Sequence, residues 1–178
     1  MEGFTRELLP LVRDETLDLA VGTRSGDKLD PAFTFHPLFR HRFVVVARKG
    51  HPLRNARSLA QLDGADWINL APPGAPGGGP LERAFSLAGL SLPQQAIQCD
   101  SYHTAIGMLA GTDMLGIMSR RLIKDSFARE FLRQIDVAEP MPSYTGGMFT
   151  RADSPLTPLA AAIAKAVTTA ARALVRST

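Results

Sequence analysis

The chain has 178 residues, of which 45 % are hydrophobic and 21 % charged, a composition that buries one good core or two small ones and argues against disorder. Its single cysteine, Cys99, excludes an internal disulfide framework and a thiolate metal cluster, and fits a reducing compartment, the cytoplasm by default. The formal charge of +3 balances twenty cations against seventeen acids and argues little for nucleic acid; no stretch approaches eighteen consecutive apolar residues, and MEGFTRELLP is charged where a secretory signal is apolar.

Thr5 to Arg13 carries apolar residues at Leu8, Leu9, Leu11 and Val12 and reads as a short amphipathic helix leading into a strand over 17–22. Phe43 to Ala47 is an unbroken β-branched and aromatic run, expected of a strand buried on both faces and stopped by Gly50-His51-Pro52. Around it, from Pro31 to Leu62, no acid occurs while Arg40, Arg42, Arg48, Lys49, Arg54 and Arg57 supply six cations. With only Phe39 and Phe43 interleaved, these cations read as solvated strand flanks sooner than as a nucleic-acid groove.

Ser58 is placed to N-cap a short helix through Leu62, and Trp67 to Leu70 reads as a strand. The stretch APPGAPGGGP, 71–80, cannot sit inside regular structure and marks a loop or crossover. Pro80 suits the first turn of a helix that Gly89 ends, and Gln95 to Cys99 is a short strand. Asp100 or Ser101 caps a helix over 102–110; Met114 to Met118 is a strand, and Ser119 starts the next helix. Strands over 131–135 and 144–149 follow. The clearest helix comes after Ser154-Pro155, with Leu159, Ile163, Val167, Ala170 and Leu174 on one side and Lys165, Thr168 and Arg172 on the other. Strands alternating with helices predict a mostly parallel sheet that binds ligand at the carboxyl ends of its strands.

The segment Cys99-Asp100-Ser101-Tyr102-His103-Thr104 falls at such a place. A helix start attracts an anion through its amides and dipole, and Ser101 and Thr104 add hydroxyls. Ser101 also serves as a plain cap, and the two roles are compatible. Gly74 to Gly79 before Pro80 makes a second helix start but lacks the Gly-Lys-Ser/Thr ending of a phosphate-binding loop, so it reads equally as a crossover. Cys99, Asp100 and His103 invite a nucleophile reading, yet residues at a strand end and a helix start diverge, and no further group is identifiable as orienting His103. His36, His41 and His51 lack metal-ligand spacing. The expectation is therefore no catalytic residue, no metal and no cofactor.

Several phrases, in the same order over nearly the whole chain, resemble the effector-binding domain of LysR-type bacterial transcription regulators: ELLPLVRDETLDLAVG, PLFRHRFVVVARKGHPL, SLAQLDGADWINL, DSYHTAIGMLAGTDMLGIMSRRLI and TRADSPLTPLA. The resemblance implies an α/β, two-lobed, periplasmic-binding-protein-like (type II) fold with a small, often anionic effector in the cleft. Lobe one is expected over 1–70 plus 148–178 and lobe two over 71–147, with a second crossover near Gly146 to Thr150. It implies effector contacts at Ser101, His103 and Thr104 on lobe two and at Gly22, Thr23, Phe149 and Thr150 on lobe one. The family's winged helix-turn-helix, and the first strand and helix of lobe one, are missing from this sequence. Promoter DNA is thus a partner only through the missing N-terminal domain; a homodimer or homotetramer is implied, and no membrane. The residues leave two alternatives open, a small-molecule enzyme and a solute-binding protein on the same fold.

Overall fold

The computed structural model describes residues 1, 3–24, 29–70, 79–94 and 96–176. Their contacts divide the chain into unit one, Met1–Arg40 with Tyr144–Thr178, and unit two, His41–Ser143.

Unit one begins with helix α1, Thr5–Arg13, whose start is satisfied by Glu7 Oε2 accepting from the Phe4 amide at 3.0 Å. Its spacing puts Leu8 and Val12 on one face, packed against Ala20 of strand β1, Leu19–Arg24, and Phe33. Phe33 opens strand β2, Phe33–Arg48, sixteen residues whose first half lies in this unit. Only its second half stands out in the sequence; before it, Phe33 and Phe35 alternate with polar neighbours, and Pro37 reads as a break. Strand β7, Ser143–Arg151, pairs antiparallel with β1, setting Gly22 opposite Gly147. Arg151 closes the C-terminal end of α1 by donating from Nη1 to the carbonyls of Val12 and Leu17 at 2.9 and 3.0 Å.

Helix α5, Pro158–Arg176, forms where its periodicity predicts, but it buries a different side. The small residues Ala160, Ala164 and Ala171 are covered, while Leu159 and Ile163 of the apolar stripe are 73 % and 48 % exposed. Among the described residues it is long and apolar enough over Pro158–Val175 to cross a bilayer by length and composition, although Lys165 and Arg172 interrupt it, and charges there are costly in hydrocarbon.

Unit two is built on the strand order β6-β2-β5-β3-β4. Strands β3, Trp67–Asn69, β4, Ala96–Gln98, and β5, Leu115–Ser119, run parallel; β2 is antiparallel to both β5 and β6, Leu132–Ile135. The sheet is therefore mixed where a mostly parallel one is expected, because β2 enters between two later strands. On one face Val44, Val46, Ile68 and Met118 pack with Ala105, Ile106 and Leu109 of helix α3, Tyr102–Gly111, and Ile123 of helix α4, Arg120–Asp125. On alternate positions Val45 and Trp67 are fully buried, and Trp67 meets Phe85 of helix α2, Pro80–Leu87, edge-on at 5.3 Å.

The contacts divide the chain at 40/41 and 143/144, whereas the sequence places its crossovers at 71–80 and near 146–150. The register explains both. Trp67 and Ile68 pair with Leu115 and Gly116, which ties 41–70 to unit two, while Gly146 to Thr150 pair with β1 of unit one. Residues 71–78, with most of the glycine-rich helix start expected there, lie outside the described residues.

At the far end of β2, Gly50 turns with φ +77° and His51 is buried at 1 % exposure. Its Nδ1 accepts the Leu53 amide at 3.0 Å, so Nε2 carries the proton and donates to the Asp113 carbonyl at 2.9 Å. The Asp113 carboxylate takes Arg48 at 2.6 Å. Imidazole and guanidinium together clamp the turn between α3 and β5.

Candidate functional site

The best-formed candidate is the start of α3. The Cys99 amide donates to the Asn69 carbonyl at 2.9 Å, extending the parallel pairing one residue beyond β4. The chain then turns, with Cys99 buried and its Sγ donating to the Ser101 carbonyl at 3.3 Å. Ser101 is the N-cap: its Oγ accepts the Thr104 amide at 3.3 Å and its carbonyl accepts the Ala105 amide at 3.0 Å. The capping role is thus present, and Asp100 is left as an exposed carboxylate just before it.

His103 and Thr104 are exposed on the first turn, which carries no acidic residue. The Thr104 hydroxyl bonds to no described residue. The His103 ring lies nearly parallel to Phe127, 11° between planes at 6.2 Å, and Phe127 is itself exposed. Tyr102 turns toward the α3 core, and burial pushes its phenol above the usual tyrosine range, so it remains a neutral hydroxyl. The arrangement offers the positive end of a helix dipole, a hydroxyl and an imidazole. No group of three or more His, Cys, Asp or Glu suited to a metal occurs among the described residues.

The unit-one candidates have packing duties. A Cβ on Gly22 would fall 2.3 Å from Thr5 Oγ1, and the Thr23 amide donates to that same oxygen at 3.0 Å, so α1 is seated on β1 through these residues. On Gly147 a Cβ would fall 2.5 Å from the His36 carbonyl oxygen and from the Phe35 ring. Phe149 is 1 % exposed and packs on Phe35 at 4.7 Å; Thr150 is 5 % exposed and shares a 3.2 Å hydrogen bond with His36 Nε2. Thr5, Phe35 and His36, which surround these four positions, carry no local motif; only the Gly-Gly pair at 146 and 147 signals a close approach.

The chain matches the family model for the LysR substrate binding domain over residues 1–172. Among curated proteins it is 29 % identical over 128 residues to the HTH-type transcriptional regulator GalR of Pseudomonas putida, covering 71 % of this chain and 32 % of that protein. It is 30 % identical over 128 residues to GbpR of Rhizobium radiobacter, covering 69 % and 40 %. The chain thus spans less than half the length of these relatives. Among solved structures it superposes on the effector-binding domain of QuiR in complex with shikimate, with TM-score 0.72, 20 % identity, and coverage of 90 % of this chain and 74 % of that one. On the Synechocystis CcmR regulatory domain in complex with 2-PG the TM-score is 0.73 at 15 % identity, covering 94 % and 80 %.

Proposed function

Because the chain belongs to the LysR substrate-binding domain family, we propose that it is the effector-sensing part of a transcription regulator and holds a small anion at the start of α3 without transforming it. The observation that carries the reading is the exposed first turn of α3, where the Thr104 hydroxyl, bonded to no described residue, and the His103 imidazole flank a helix N-terminus. Neighbours of the same fold hold small molecules, which supports a ligand site. Gly22, Thr23, Phe149 and Thr150 act in this proposal as the framework of unit one. In the whole regulator, a cytoplasmic homo-oligomer, the effector alters promoter binding by preferring one conformation of this domain. It moves that equilibrium only by its difference in affinity between states.

Calorimetry against aromatic and aliphatic carboxylates and sulfonates tests the reading. A hit that stabilises the chain and leaves the compound intact is expected, and Thr104→Val weakens it by about 1–3 kcal/mol. Product formation refutes the sensing role. Affinity unchanged by the substitution removes the start of α3 from the site.

A further inference from the structure

We propose that unit two carries a second small-molecule site, for a hydroxylated dicarboxylate, in the cavity that Arg42 and Arg120 share with Asp136. The cavity measures about 250 Å³, and its walls include Val44, Gln134 and Met141. It draws on no residue of the α3 start, so it stands apart from the function proposed above.

The register brings the two arginines to it. Phe43 pairs with Ser119, so Arg42 and Arg120 follow one step beyond the last pair of β2 and β5. Like charges placed side by side repel unless an anion joins them. Neither guanidinium has a hydrogen bond or ion pair to a described residue, whereas Arg48 from the same basic stretch is held by Asp113 and Arg54 donates to the His51 carbonyl. Two planar forks with no partner among the described residues, at one cavity, suit two carboxylates.

Across β2, Val45 pairs with Ile135, which places Asp136 level with Val44. Its Oδ1 accepts Gln134 Nε2 at 2.6 Å. This carboxylate repels a bare dianion but accepts from a ligand hydroxyl, so the cavity selects an acid that also carries a donor. Val44, on the same face as Asp136, supplies an apolar wall for a short carbon chain together with Val137 and Met141.

Calorimetry of the chain with malate and succinate, which differ by one hydroxyl, tests the site. Malate should bind, with succinate about fivefold weaker. Arg42→Gln and Arg120→Gln should each weaken malate about tenfold, since each removes a charged hydrogen bond. Asp136→Asn should bring malate and succinate within about twofold. Thr104→Val, which alters the site proposed above, should leave the sensitivity of malate binding to the arginine substitutions in place. All the substituted cavity side chains are exposed, so melting curves should match the parent. If either glutamine variant melts early, the lysine variant replaces it and should show a partial loss. Failure of malate to bind, or binding indifferent to both arginine substitutions, overturns the proposal. Loss on Thr104→Val with the arginine variants unchanged also overturns it and assigns the anion to the start of α3.

Discussion

Substituting Gly22 separates a packing role from a ligand role. An alanine Cβ there falls 2.3 Å from Thr5 Oγ1 and 3.2 Å from Thr5 Cβ and Cγ2. The hydroxyl cannot swing away freely, because it accepts the part-buried Thr23 amide at 3.0 Å. Gly22→Ala is therefore expected to cost about 1–3 kcal/mol of overpacking, with a further 0.5–1.5 kcal/mol, roughly, if the bond to Thr23 is lost. Thr5→Ala loses only the hydrogen bond, about 1 kcal/mol. With both changes the new Cβ no longer meets an oxygen, and the double variant should be more stable than the two losses added together, by about 1 kcal/mol or more. Urea unfolding with an unchanged m-value measures all four proteins. Additivity within about 0.5 kcal/mol refutes the argument and returns Gly22 to consideration as a residue kept small for a ligand.

Two further outcomes follow from unit two. His51→Ala leaves the Leu53 amide and the Asp113 carbonyl without their partner in a buried site and should cost roughly 2–4 kcal/mol, whereas Arg48→Ala, which loses a largely exposed ion pair, should cost about 1 kcal/mol or less; the reverse order in thermal unfolding refutes the clamp. His41 is half-buried beside Phe43 at 5.2 Å, and desolvation holds its imidazole below the ordinary histidine value of 6.5. The unfolded chain therefore takes up the proton first as pH falls. His41 stability is fully present above about pH 6.5, shrinks as pH drops toward the folded value, and levels off beneath it. His41→Gln should flatten the melting temperature between pH 7 and 5 relative to the parent, and an identical slope in both proteins would count against this.

Local chemistry made much of the molecule legible in the sequence. Ser58 is a cap by residue type alone, the α3 cap is narrowed to Asp100 or Ser101, Pro80 and Gly89 bracket α2, and the run over 43–47 can only be a buried strand. What stayed hidden depends on partners far along the chain. The direction of β2 relative to β5 and β6 is a matter of tertiary order, and so is the unit boundary. The stripe on α5 predicted the helix but not its buried side, since alanines carry too weak a signal to compete with Leu159 and Ile163. At the candidate site the cap was readable. The neighbours that engage Gly22, Phe149 and Thr150 were not, because Thr5, Phe35 and His36 belong to no spacing rule.

The position of β2 also bears on how unit two folds. Its pairing partners are synthesised long after it, and the clamp at its end joins residues 62 and 65 positions apart. Closing such loops precedes the reward of burial, so assembly is governed by slow, non-local search. Until β5 and β6 exist, the run Phe43–Ala47 is a bare, aggregation-prone strand in the nascent chain. Arg40, Arg42, Arg48 and Lys49 stand on either side of it, the arrangement by which charged gatekeepers keep an unavoidable apolar segment from pairing with another molecule. Four of the six basic residues that look like a binding surface thus have work to do before the fold exists.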